Sequence, residues 1–279
     1  MVKFVLLRAH PLIAVSLYLI LFTACLYTAG LLRSKFPQAF ADLAFGIPGC
    51  LGAAGVFYLF QKIGQPTRPK VNLSWSRQTL PKFGLGILIG GIAFLMVLAP
   101  LLLFTPLSIQ RGRHIQDFDV LLALLPVLPL ALMEEIGFRS YALFKLREHY
   151  GIWISQITMA SVFGAFHLLY GWSLQVAFMG PFVWAFMLAL AALRSGGVAV
   201  PTGIHFALNI FQQLCGLKGN TPAAVWKVDF PAGSTKAPIV HAGALGTGMH
   251  MLLLLLFLLL TFFYGKQEHR RQSASGSRD

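Results

Sequence analysis

An all-α, polytopic membrane protein is the fold class this sequence predicts, on three observations. Of its 279 residues, 57% are hydrophobic and only 11% charged, well short of the roughly one quarter that soluble domains carry. Several apolar runs approach or exceed the ~20 residues a helix needs to cross hydrocarbon. The net charge of +13 comes mostly from the segments between those runs and from the tails, as topology and contact with anionic lipid require. A nucleic-acid binder would want a basic, aromatic-bearing soluble module, and the chain has none.

About eight transmembrane helices follow in order. The first, 11–32, has an apolar core too long for a signal peptide, and no A-x-A site follows it. "LFTAC" is a loose match to a lipoprotein processing site, with Phe22 where Leu is usual, so the segment is expected to stay as a membrane helix. The second, 43–61, is broken by "GIPGCLGAAG" and is expected to be kinked or half-inserted. The third, 83–105, holds Gly86 and Gly90, a four-residue spacing that suits close helix packing. The fourth, 119–144, is long and contains Pro126 and Pro129, which predict a kink or a wide tilt. Spans at 152–170, 174–194 and 198–216 come next. A Pro- and Gly-rich loop, 217–244, separates them from the last span, 245–264. The polar tail "GKQEHRRQSASGSRD" is expected to be disordered and to lie against anionic lipid at the cytoplasmic face.

The organisation is therefore 1–118 for the first three helices and 119–216 for the core. Residues 217–279 form an extracytoplasmic loop, the last helix and a basic tail. With the N-terminus inside, the inside segments hold fourteen Lys and Arg and the outside segments seven. That bias predicts both termini in the cytoplasm, and the membrane expected for the chain is the plasma (inner) membrane. Cys25, Cys50 and Cys215 sit singly in apolar runs without CxxC spacing, as small packing residues do.

Against this background a few polar groups stand out. Glu134, Glu135 and Arg139 interrupt the fourth span, His167 the fifth, His205 and Asn209 the seventh. Ionisable groups at such depth normally face the bundle interior and mark a pathway or a site. Glu135 and Arg139 are four apart with the acid first, the favourable order for a helical pair. Glu134 points about 100° away around the helix, free to face a cavity. His205 and Asn209 share one face. At ~1.5 Å per residue, Glu134 lies roughly 16 Å and His167 roughly 22 Å from the cytoplasmic ends of their spans, with His205 and Asn209 roughly 10–17 Å deep. The four could meet a little on the cytoplasmic side of the midplane.

Such a set suits peptide hydrolysis without a covalent intermediate. A carboxylate and a histidine take a proton from water; a second histidine and an amide donate to the oxyanion. Serine or cysteine chemistry lacks a G-x-S-x-G elbow, and H-E-x-x-H is absent. Glu134, His167 and His205 are also residue types that ligate zinc, so a metal-dependent version stays open although no cofactor is required.

In order along the chain, Glu134-Glu135-x-x-x-Arg139, Phe163-x-x-x-His167 and His205-x-x-x-Asn209 resemble the signature of one family. It is the CAAX-prenyl endopeptidase and bacteriocin-processing (CPBP, or Abi) family of intramembrane proteases. The resemblance covers about residues 119–216. It implies a conical intramembrane catalytic cavity, water activated by Glu134 and His167, and an oxyanion held by His205 and Asn209, with Glu135 and Arg139 in support. The implied partner is a membrane-anchored protein or peptide cut near its C-terminus: a CAAX-type tail, a bacteriocin leader or a C-terminal sorting signal. Two other classes remain from the residues alone, a proton-coupled carrier that uses Glu134 and the histidines as a relay, and a non-catalytic membrane scaffold. Glu135 and Arg139 read equally as a buried pair that fixes packing. Phe163 reads as packing, and Tyr170 and Trp172 as an interfacial aromatic belt.

Overall fold

The structure, a computed structural model, describes residues 10–64, 71, 73–112, 117–218, 223–231 and 233–276. Lys3, Arg8, Arg68, Lys70, Arg113 and Arg278, all counted in the charge bias, lie outside the described residues. Among the described residues ten helices carry the fold: α1 (Pro11–Arg33), α2 (Gln38–Gly64), α3 (Thr79–Phe104), α4 (Asp117–Leu124), α5 (Val127–Arg139), α6 (Tyr141–Leu168), α7 (Leu174–Met179), α8 (Pro181–Ser195), α9 (Ala199–Leu214) and α10 (Lys236–Gly276). Two four-residue strands, β1 (Ser108–Arg111) and β2 (Trp226–Asp229), pair antiparallel with Ser108 opposite Asp229. Six stretches of the described residues are long and apolar enough to cross a membrane. One of these, residues 117–168, contains two of the expected spans, and α9 is helical but only 16 residues long. The chain is an all-α, multi-pass membrane protein.

Local chemistry explains where the helices bend. Pro126 has no N–H to give the preceding turn, so the expected kink in the fourth span is a full break, with α4 ending at Leu124 and α5 starting at Val127. A second break at Ser140 (φ −101°, ψ −109°) ends α5 one residue after Arg139. Gly151, at φ +77°, divides α6 into two helical pieces, a conformation that glycine adopts without a Cβ penalty.

By contrast α2 runs unbroken through Pro48 and the glycines expected to interrupt it. Those glycines are contact points: a Cβ on Gly49 would lie 2.6 Å from the Met133 sulfur of α5.

Packing brings α5, α6 and α9 together. α9 packs most extensively on α3. The expected close approach occurs there, at Gly86 and Gly90, both buried; a Cβ on Gly90 would stand 2.6 Å from the Ile204 carbonyl. α1 and α2 pack side by side and cover α5. Phe22 of α1 meets Phe138 edge-on at 5.3 Å, and its ring occupies the space a Cβ on Gly137 would need.

The tail corrects an expectation. Helix α10 continues past 264 to Gly276 instead of becoming disordered. Arg147 of α6 pairs with Glu268, which also accepts from the Tyr264 hydroxyl one turn earlier at 2.9 Å. These contacts give the polar part of the helix a tertiary partner, and that is what usually decides whether a helix forms. In the 217–244 segment the described residues form β2 and the start of α10 rather than one open loop.

Candidate active site

Both glutamates stand on α5, and their burial separates their roles. Glu135 is fully buried and Arg139 is 1% exposed, whereas the Glu134 side chain keeps 15% of its surface. Glu135 Oε1 is shared by two donors, Arg139 Nη1 at 3.3 Å and His205 Nδ1 at 2.8 Å. The expected helical ion pair is therefore present, and it also holds the histidine of α9. The guanidinium lies over the Phe163 ring, 3.9 Å from its centroid. In a desolvated setting that stacking is worth about 2 kcal/mol.

The end of α5 is held from α1. The Tyr18 hydroxyl donates to the Ile136 carbonyl at 2.9 Å, and the Ser140 hydroxyl donates to the same oxygen. This satisfies a helix-terminal carbonyl at the break just after Arg139. The layer formed by Tyr18, Glu135, Arg139 and Ser140 is almost wholly buried.

The two histidines have different partners. His167 Nδ1 is 2.8 Å from the Phe163 carbonyl. A carbonyl only accepts, so Nδ1 carries the proton and Nε2 keeps its lone pair. The imidazole is walled by Phe163 (ring centroids 4.7 Å apart) and Trp172 (4.9 Å). His205 Nδ1 donates to Glu135, and its Nε2 is 3.8 Å from Glu134 Oε2. That distance is too long for a hydrogen bond. Glu134 Oε2 is buried and has no hydrogen-bond partner among the described residues. Asn209, one turn beyond His205, accepts from Lys218 Nζ at 2.6 Å.

The structure thus brings Glu134, Glu135, Arg139 and His205 into direct proximity. The Phe163 ring faces both histidines, its centroid 4.7 Å from that of His167 and 6.2 Å from that of His205, and Asn209 sits on the His205 face of α9. His167 is the penultimate residue of α6, and Lys218 reaches Asn209 from the turn after α9. The site therefore gathers near the C-terminal end of α6 and within reach of the turn that follows α9.

Reading the sequence missed Tyr18, Ser140 and Lys218, and gave Phe163 and Trp172 only packing or interfacial roles. The one available signal was Lys218 itself, a lysine nine residues after Asn209. Among the described residues no group of three or more His, Cys, Asp and Glu is disposed to hold a metal ion.

Residues 116–211 match the family described as type II CAAX prenyl endopeptidase Rce1-like. The matched segment contains α4 to α8 and most of α9, and with them all seven motif residues. No curated protein matches the chain.

Proposed function

We propose, from the match of residues 116–211 to the Rce1-like family and from the motif residues they carry, that this chain is an intramembrane protease of the CPBP family that hydrolyses a peptide bond near the C-terminus of a membrane-anchored protein or peptide. The observation that supports this most is the relation of Glu134 to His205: a buried carboxylate oxygen with no hydrogen-bond partner among the described residues, 3.8 Å from Nε2 of the imidazole that Glu135 orients through Nδ1.

Glu134 and the His167 Nε2 lone pair take a proton from water as its oxygen adds to the scissile carbonyl carbon. This general-base step is worth ~10²–10⁴-fold. The resulting oxyanion accepts from His205 Nε2–H and the Asn209 amide, and an oxyanion-hole donor of this kind is worth ~10²–10³-fold. Collapse of the tetrahedral intermediate breaks the C–N bond. The captured proton passes to the leaving amine, which gives one carboxylic acid and one amine. Glu135 and Arg139 hold His205 and the end of α5 without touching the reacting atoms. No step is assigned to a metal.

The substrate is a CAAX-type tail, a bacteriocin leader or a C-terminal sorting signal, presented within the plasma (inner) membrane. Both termini are placed in the cytoplasm, with the basic end of α10 on anionic lipid. The test compares protein termini by mass spectrometry in cells expressing wild type or Glu134→Gln at equal abundance. A defined terminus present only with wild type is the expected result and names the substrate. Identical termini under several growth conditions would overturn the protease reading in favour of a carrier or scaffold.

A further inference from the structure

The turn that follows α9 folds back on the helix. Gly216 N donates to Gln213 O at 3.0 Å and Leu217 N to Gln212 O at 2.8 Å, with Gly216 at φ +67°. This is a Schellman cap, in which a glycine in the left-handed region reverses the chain. It delivers Lys218 alongside α9, where Nζ donates to Asn209 Oδ1 at 2.6 Å.

That contact carries chemical information. An ammonium has donors and no acceptor, while a primary amide has one of each. Lys218 must therefore face the Asn209 carbonyl oxygen, and the NH₂ is turned the other way. The contact of the Asn209 side chain with the described residues is thus made through its oxygen, from Lys218. Oxygen and nitrogen of an amide are nearly equal in size, so only hydrogen bonding chooses between the two flips. The wrong flip would offer a carbonyl oxygen to a developing oxyanion.

We propose that Lys218 is a positioning residue: its ammonium holds the Asn209 amide in the orientation that presents NH₂ to the reacting carbonyl. This rests on the oxyanion role assigned to Asn209 above. A lysine at a helix end would ordinarily snorkel toward water. Lys218 keeps an accessible face, yet atoms of the bundle crowd its ammonium and push its pKa below the usual lysine value, with Glu134 opposing that shift. The side chain instead reaches Asn209.

The chain contains three asparagines, at 72, 209 and 220, so selective ¹⁵N labelling of asparagine side chains in the full-length protein gives three amide pairs. Loss of one pair in Asn209→Asp assigns the signal. Lys218→Met should displace or broaden the Asn209 pair, and Lys218→Arg should keep it near its wild-type position. An unmoved pair in Lys218→Met would overturn the contact. This readout does not depend on cleavage, so it stands apart from failure of the protease reading.

On the substrate terminus identified with Glu134→Gln, Lys218→Met should lower cleavage ~10- to 100-fold, part of what one oxyanion donor supplies. It should have no further effect in an Asn209→Ala background, because coupled residues are non-additive. An equal loss in both backgrounds would mean that Lys218 acts on the substrate directly and would refute positioning.

Discussion

Removing Arg139 tests the support layer most sharply, because it separates stability from chemistry. In Arg139→Met the Glu135 carboxylate stays fully buried and keeps one donor, His205. Opposite unit charges at the observed 3.3 Å interact by about 5 kcal/mol at an effective dielectric of ~20. Breaking a buried pair from one side typically costs ~3–5 kcal/mol. Loss of the stacking on Phe163 adds about 1–2 kcal/mol at most, and the methionine returns part of that as packing. The expected loss is therefore about 3–5 kcal/mol, measured by equilibrium unfolding in mixed detergent micelles with tryptophan fluorescence.

The double variant Arg139→Met with Glu135→Leu has no stranded charge. It should unfold within about 2 kcal/mol of wild type, since a buried pair replaced by apolar groups is often close to neutral. Cleavage should not return, because His205 has lost the carboxylate that orients it. A single variant that loses under ~1 kcal/mol would refute the reasoning. So would a double variant as unstable as the single.

Two further outcomes follow from other parts of the structure. Gly137→Ala should destabilise the protein by ~1–3 kcal/mol, the cost of overpacking, because the Phe22 ring stands where the new methyl would go; Phe22→Leu in the same chain should recover part of the loss in the same unfolding assay. Cleavage of the identified substrate should survive exhaustive chelation, since no metal step is assigned. Activity lost to chelator and restored by added zinc would sink that version of the mechanism.

The motif residues were legible in the sequence for a physical reason. A charge inside an apolar run has to be explained locally, and four-residue spacing places two side chains on one helix face without knowledge of the fold. The close packing at Gly86 and Gly90 was legible on the same grounds. What could not be read was anything that depends on which helix lies opposite. Glu135 pairs with Arg139 within its own helix, and its second donor, His205, is 70 residues away. Tyr18 is 118 residues from the carbonyl it holds, and no spacing rule reaches that far. Phe163 looked like packing because its two contributions come from its ring face, under Arg139, and from its backbone carbonyl. The polar tail after residue 264 has the composition of a disordered segment, but Glu268 found Arg147 across the bundle.

These partners divide the labour between two residues of the same type. A histidine cannot serve as proton acceptor and oxyanion donor through the same nitrogen at once, so a site with two histidines has to bias each one. His167 gives its Nδ1 proton to the Phe163 carbonyl, a neutral acceptor, and so offers a lone pair at Nε2. His205 gives its Nδ1 proton to a carboxylate. Donation from its Nε2 as well requires the imidazolium form, and two carboxylates, Glu135 bonded and Glu134 at 3.8 Å, flank that ring. Second partners of this kind are what set the role of each imidazole nitrogen. The adjacent glutamates therefore stand at opposite ends of one ring. In the proposed mechanism Glu135 fixes the donor from behind, and Glu134 shares with it the space in front, where a water and a peptide carbonyl have to meet.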